Sequence, residues 1–151
     1  MPDGWLIYHE EPITLHSGGK SHWFVDGQRI FDDPHLRESV LACWERAVRH
    51  WADTFPRGEH PYFVGIPRGG LCWAKAIAAR LDAEWGPIQD APKGNFVYAV
   101  DDICTTGASL RSVPSNWNLV VVARCSLFRG SHLGLTAWAW IDLECEEAAH
   151  E

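Results

Sequence analysis

Val97-Tyr98-Ala99-Val100-Asp101-Asp102-Ile103-Cys104-Thr105-Thr106-Gly107-Ala108-Ser109 decides how this chain is read. An apolar run ends in two adjacent carboxylates. A turn of Thr, Gly and Ser follows, and a helix start at Leu110-Arg111 comes after it. A strand that stops at a small-residue turn before a helix points several backbone N–H groups one way, and such a nest binds phosphate. Asp101 and Asp102, at the strand end, stand where hydroxyls or a metal-bound ligand can be held. The segment reads as a site for a phosphorylated sugar. A buried strand with an ordinary polar turn also ends in acids, but the whole string is rarer.

Strands and helices alternate around this segment. Tyr62 to Ile66 is a short apolar strand, broken by Pro67-Arg68-Gly69-Gly70, and Leu71 to Leu81 is a small-residue helix. Leu119 to Ala123 and Ala137 to Leu143 are two more strands, and a helix of about ten residues or fewer, cut by Pro114, precedes the first of them. Leu36, Val40, Leu41, Trp44, Val48 and Trp51 recur at helical spacing, which predicts a helix over 34–53 started by Asp33-Pro34. Gly86 to Asn95 reads as a loop. Before residue 30 come short strands at Trp5–Tyr8, Ile13–Leu15 and Trp23–Val25, the last followed by Asp26-Gly27, a hairpin-type dipeptide. Such alternation implies a mainly parallel sheet with ligands at the carboxyl ends of its strands. Both breaks, Pro67–Gly70 and Asp101–Ser109, are strand exits and can face one crevice.

Composition sets the bounds. The 151 residues suffice for one domain with a real core, and the 46% hydrophobic content argues against disorder. A formal net charge of -7 disfavours a dedicated nucleic-acid binder, which needs a basic face. Nine Trp imply that most are core or interface residues. Cys43, Cys72, Cys104, Cys125 and Cys145 form no CxxC pair and read as reduced thiols. Met1 to Gly4 carries no basic region and no apolar run reaches membrane-spanning length, so the expected location is cytoplasmic, with no membrane partner. Among the His residues, His22 and His132 either line the crevice or lie on the surface. Trp138 and Trp140 either pack in the core or stack on a base.

Taken alone, Pro67-Arg68-Gly69-Gly70 is either a Gly-rich turn with a solvated Arg or a phosphate grip in which Arg68 forks two hydrogen bonds. With the acidic motif downstream, it resembles the pyrophosphate loop of the type I phosphoribosyltransferases, in the Arg-Gly-Gly form of the purine enzymes. Val97 to Ser109 resembles that family's binding motif for phosphoribosyl pyrophosphate (PRPP). Ile13-Thr14-Leu15-His16-Ser17-Gly18-Gly19-Lys20-Ser21-His22-Trp23-Phe24-Val25-Asp26 is similar to the N-terminal signature of orotate phosphoribosyltransferases, which forms a hood over the base. Cys125-Ser126-Leu127-Phe128-Arg129 is similar to the end of that family's fourth core strand, where an Arg reads the base carboxylate. Lys20 and Arg129, each alone, are equally well explained as surface charge. The four matches span nearly the whole chain in the family's order.

The resemblance implies an α/β fold: a parallel core sheet flanked by helices over 31–143, a small N-terminal hood over 1–30, and an acidic tail over 144–151, in a single domain. It implies a transferase of nucleotide metabolism that moves the phosphoribosyl group of PRPP to a nucleobase, with an orotate-like pyrimidine as candidate, and releases pyrophosphate. Thr105, Thr106, Gly107, Ala108 and Ser109 would hold the 5-phosphate. Asp101 and Asp102 would hold the ribose hydroxyls and act as the catalytic pair, with Mg²⁺ bridging ligand oxygens and reaching the same two carboxylates. Arg68 and the amides of Gly69 and Gly70 would hold pyrophosphate. Lys20, Phe24, Asp26 and Arg129 would face the base. The implied partners are PRPP and a nucleobase or nucleotide, with assembly as a homodimer.

The chain departs from the pattern in places. The family carries a long flexible loop that closes over PRPP, but here only Trp85 to Asn95 joins the helix to the next strand, with Lys93 its single cation. His16 stands where orotate enzymes often have Lys, and Gly130 to Thr136 is short. A loop this short cannot serve as a lid, so the alternative is a non-catalytic module that binds PRPP or a nucleotide and regulates a partner. A dinucleotide-binding fold finds no GxGxxG after the first strand.

Overall fold

A computed structural model describes residues 4–14, 20–52, 60–92, 96–104, 113–114, 117–125 and 137–143. Thr105 to Arg111, Arg129, Lys93, His16, His132 and the tail from Glu144 lie outside the described residues, and with them the expected phosphate turn and the helix after it. Cys145 lies outside them too.

A two-stranded antiparallel hairpin opens the chain: β1 (Leu6–Thr14) and β2 (Lys20–Val25). Two helices follow, α1 (Gly27–Asp32) and α2 (Pro34–Ala52). The core then runs β3 (Tyr62–Gly65), α3 (Gly70–Leu81), β4 (Glu84–Gly86), a 3₁₀ turn (Ile88–Asp90), β5 (Val97–Cys104), β6 (Asn118–Cys125) and β7 (Ala137–Leu143). The five core strands form one sheet in the order β4-β3-β5-β6-β7, and every pairing is parallel. This is the parallel sheet with flanking helices and a small N-terminal hairpin that the alternation implies.

The central strands read as unbroken apolar runs because both of their faces are covered. Val97 to Val100 and Leu119 to Ala123 are buried throughout. On one face, Trp44 of α2 and Trp73 of α3 meet edge to face at 5.4 Å, and Phe31 closes on Trp73 at 4.9 Å. The Trp44 indole N–H donates to the Val121 carbonyl at 2.9 Å, which pins α2 to the middle of the sheet. Ala74 and Ala78, both buried, let α3 lie close. Trp5, Trp117 and Trp140 pack half-buried against the core, whereas Trp85 and Trp138 are exposed. Trp138 and Trp140 both turn toward α2, their indole N–H groups on Cys43 Sγ and Ser39 Oγ, so they pack rather than stack on a base.

The structure differs from the sequence reading in four places. The two short strands expected from Trp5 and from Ile13 are one, Leu6–Thr14, with an irregularity between Tyr8 and Ile13. Asp26-Gly27 is no hairpin turn: Asp26 Oδ1 accepts from the Gln28 and Arg29 N–H groups and starts α1, because Asp serves as a helix N-cap as readily as a turn residue. The segment read as a loop from Gly86 follows an edge strand, Glu84–Gly86, too short to announce itself by periodicity. Finally, β5 runs through both carboxylates to Cys104, because β6 continues to pair beside it at Asp101↔Val121 and Cys104↔Arg124. Asp33 Oδ1 accepts from the His35 and Leu36 N–H groups, so α2 starts where the Asp-Pro signal puts it.

Trp44→Phe removes a buried hydrogen bond and part of a core ring. It should cost about 1–3 kcal/mol of unfolding free energy. Urea denaturation should show a lowered midpoint with an unchanged slope.

Candidate functional site

The chain leaves β3 through α3 to β4 on one side, then crosses to β5 on the other. The direction of strand addition therefore reverses between β3 and β5. In a parallel sheet the carboxyl ends of two such strands open a crevice, because the following segments splay apart. Pro67–Gly70 leaves β3 at this point, and the acidic pair sits near the end of β5.

The two segments are in contact. Ile66 N–H donates to the Val100 carbonyl at 2.9 Å, which carries the β3 exit alongside β5. A Cβ on Gly69 would overlap the Asp102 carboxylate, and one on Gly70 would overlap the Val100 carbonyl oxygen. Only residues without a side chain let this loop lie against the acidic pair. The Gly70 N–H donates to the Ile66 carbonyl at 2.8 Å. Arg68 is exposed, and the Pro67–Arg68 peptide is cis.

The two carboxylates differ. Successive residues of a strand face opposite sides of the sheet. Asp102 is half-buried and faces Gly27 and Gly69, the side of the hairpin and helices. Asp101 is buried, and burial together with the charge of Asp102 pushes its carboxyl well above the usual carboxylate range. Asp101 Oδ1 accepts from the Asp102 N–H at 2.8 Å, and Asp102 Oδ1 from the Ile103 N–H at 2.7 Å. The Cys72 thiol, which donates to the Gly69 carbonyl, is held in its neutral form by burial and by Asp102.

The hairpin covers the far side. β2 lies against β6, and the Trp5 ring meets Trp140 of β7 at 5.6 Å. Phe24 is exposed and paired with Ile7 on the hairpin face opposite the buried Val25, and Lys20 is exposed at the start of β2. Asp26 uses its carboxylate to cap α1, with Arg29 Nε at 3.7 Å. His22 has Nδ1 at 2.9 Å from the His9 carbonyl and stacks on Tyr8, so it braces the hairpin. Sequence reasoning missed Arg124 and Asp142, an ion pair across the ends of β6 and β7. Their signal was a charge set into each of two apolar strands at matching register. Among the described residues no group of three or more His, Cys, Asp or Glu is placed to hold a metal ion. No helix among them is long and apolar enough to cross a membrane.

No family model matches the chain. Orotate phosphoribosyltransferase of Aeropyrum pernix is 28% identical over 112 residues, covering 65% of this chain and 57% of that protein. Adenine phosphoribosyltransferase of Kluyveromyces lactis is 28% identical over 107 residues, covering 66% and 54%. The chain thus spans about half the length of the curated relatives it matches. Among solved structures, the A. pernix orotate enzyme superposes with a TM-score of 0.70 at 22% identity, over 93% of this chain and 90% of that one. The Giardia lamblia adenine enzyme, complexed with 9-deazaadenine, gives 0.61 at 16% identity over 87% and 92%. The chain has the type I phosphoribosyltransferase fold, and orotate and adenine phosphoribosyltransferases are among its relatives in sequence.

Proposed function

We propose that this chain transfers the phosphoribosyl group of PRPP to a nucleobase. The observation that carries this reading is the contact of the Gly69 backbone with the Asp102 carboxylate at the reversal point of the sheet. It sets an anion grip, Arg68 and the Gly69 amide, beside a carboxylate able to accept from ribose hydroxyls. PRPP carries a pyrophosphate and a diol on adjacent carbons of one sugar, which matches that pairing.

In this reading a nitrogen of the base bonds to the anomeric carbon as its bond to pyrophosphate oxygen breaks, and the base loses a proton. Positive charge develops on the sugar ring during the step. Asp102, fixed by the Ile103 N–H, offers a preorganised negative charge next to it. Arg68 draws off the charge of the leaving group. Of the two carboxylates, Asp102, half-buried beside Gly69, would be the one to hold Mg²⁺, a cation that takes few protein ligands and fills its octahedron from phosphate oxygens and water. Bound there, it would neutralise pyrophosphate. The 5-phosphate is assigned to Thr105 to Ser109 by the motif alone.

The short connection after α3 bears on rate. Its 3₁₀ turn folds back toward the start of β3, where burial and then the charge of Asp90 raise the Tyr62 phenol. That is the end of the strand away from Gly65 and the crevice. Turnover should therefore sit at or below the low end of the ordinary enzyme range, about 1 per second. The test is pyrophosphate release from PRPP and Mg²⁺ with a panel of free bases. Release that depends on a base, and falls at least tenfold in Asp102→Asn, supports transfer. PRPP binding without transfer to any base leaves only a binding module.

Asp101 supplies a second prediction, made without ligand or metal. Its folded carboxyl is pushed up to about 8, above the ordinary value of 3.8. The native state then holds a proton that the unfolded chain has released, so this group costs stability as pH rises between those values. Asp101→Asn removes the titration. Its stability relative to the parent should improve between pH 4 and pH 8 by more than about 1.4 kcal/mol, the worth of one pKa unit. Thermal or urea unfolding at the two pH values measures this, and a pH-independent difference would place the Asp101 carboxyl in water.

A further inference from the structure

Resting on the transfer reading above, we infer that Gly27 is a positioning residue: its bare backbone sets where the Asp102 carboxylate stands, and so ties the seat of the N-terminal hairpin to sugar binding. Gly27 is buried and opens α1 directly after its N-cap, Asp26. A Cβ built on it would lie 3.0 Å from Oδ2, 3.1 Å from Cβ and 3.4 Å from Cγ of Asp102. Beyond its own chain neighbours and helix backbone, those are the three nearest atoms. Relaxed carbon contacts lie at about 3.5–4.0 Å, so a methyl group there pushes on the carboxylate. Nothing in the backbone calls for glycine. The positive φ among the described glycines belongs to Gly4, and a helix favours alanine over glycine. What the missing side chain provides at Gly27 is room for Asp102.

Both partners of this contact are fixed. The Asp26 N–H donates to the Trp5 carbonyl at 2.7 Å, and Asp26 Oδ1 accepts from the Gln28 and Arg29 N–H groups at 3.1 and 3.2 Å. Ile30, in the same short helix, is fully buried. Gly27 therefore cannot retreat without loosening the root of the hairpin, where the Trp5 ring rests on Trp140. On the other side, Asp102 Oδ1 accepts from the Ile103 N–H at 2.7 Å. Oδ2 is the atom nearest an added Cβ at Gly27 and also at Gly69, so two backbones from separate segments bound the same oxygen. Moving the carboxylate gives up the Ile103 bond or the seat on Gly69. Preorganised groups act only within about 0.5 Å of the productive geometry, and a methyl group at position 27 asks for a displacement of that order. The hairpin root thus reaches the sugar end of the crevice through one glycine.

The test is Gly27→Ala in the full chain, with Gln28→Ala on the same helix as control. Without ligand, the Ile103 amide proton should move upfield in Gly27→Ala as its bond to Asp102 lengthens, and stay in place in Gln28→Ala. Calorimetry with PRPP and Mg²⁺ should show affinity lowered about tenfold or more in Gly27→Ala, with a thermal transition close to the parent's, and unchanged in Gln28→Ala. A structural role alone would lower the transition and leave the affinity of the folded protein as it was. No PRPP binding by the parent overturns the transfer reading and the positioning role with it. PRPP binding that Gly27→Ala retains in full, or an unmoved Ile103 signal, overturns the positioning role and leaves the transfer reading standing. If Gly27→Ala does not fold, Asp102→Gly in the same chain removes the atoms it strikes and should restore the fold, and failure to restore it overturns the contact.

Discussion

The close approach of the Gly69 backbone to the Asp102 carboxylate governs everything else at the crevice. A side chain at Gly69 would occupy the carboxylate's own space, and one at Gly70 would strike the Val100 carbonyl. The loop after β3 and the carboxylates of β5 therefore form one surface instead of two neighbouring ones. Parallel pairing of β3 with β5 brings them to one level, and the Ile66–Val100 hydrogen bond extends that pairing past the end of β3. The sheet order supplies the gap, since the chain turns opposite ways after the two strands.

A carboxylate pair so placed is held at a cost. Burial disfavours the charge of Asp101, whereas Asp102 is half-buried against the Gly69 backbone. Among the described residues, positive groups are separately placed: Arg68 on the β3 exit, Lys20 on the hairpin, and Arg124 bound to Asp142.

Much of this was legible in the residues. Asp33-Pro34 and the apolar spacing from Leu36 gave α2 nearly to its ends, and the run from Ala137 to Leu143 is β7. Arg68-Gly69-Gly70 and Asp101-Asp102 were recognisable because glycines and paired carboxylates each interrupt an apolar strand. The misses have local causes. Asp26-Gly27 satisfies both turn and helix-cap rules, and only the packing of Ile30 and Phe31 on the core decides between them. The end of β5 was drawn at its first charge, but ladder pairing with β6 outweighs the preference of a carboxylate for a loop. Arg124 and Asp142 escaped notice because each looks like an isolated surface charge until the register sets them side by side.

Amide chemical shifts read the central contact without requiring turnover. In a two-dimensional NMR titration with PRPP and Mg²⁺, the N–H signals of Arg68, Gly69, Asp102 and Ile103 should move together along one binding curve. Those of Glu84 to Gly86, on the edge strand, should stay still. Saturable shifts that leave Gly69 and Asp102 unmoved would contradict a sugar-pyrophosphate site at the junction of β3 and β5.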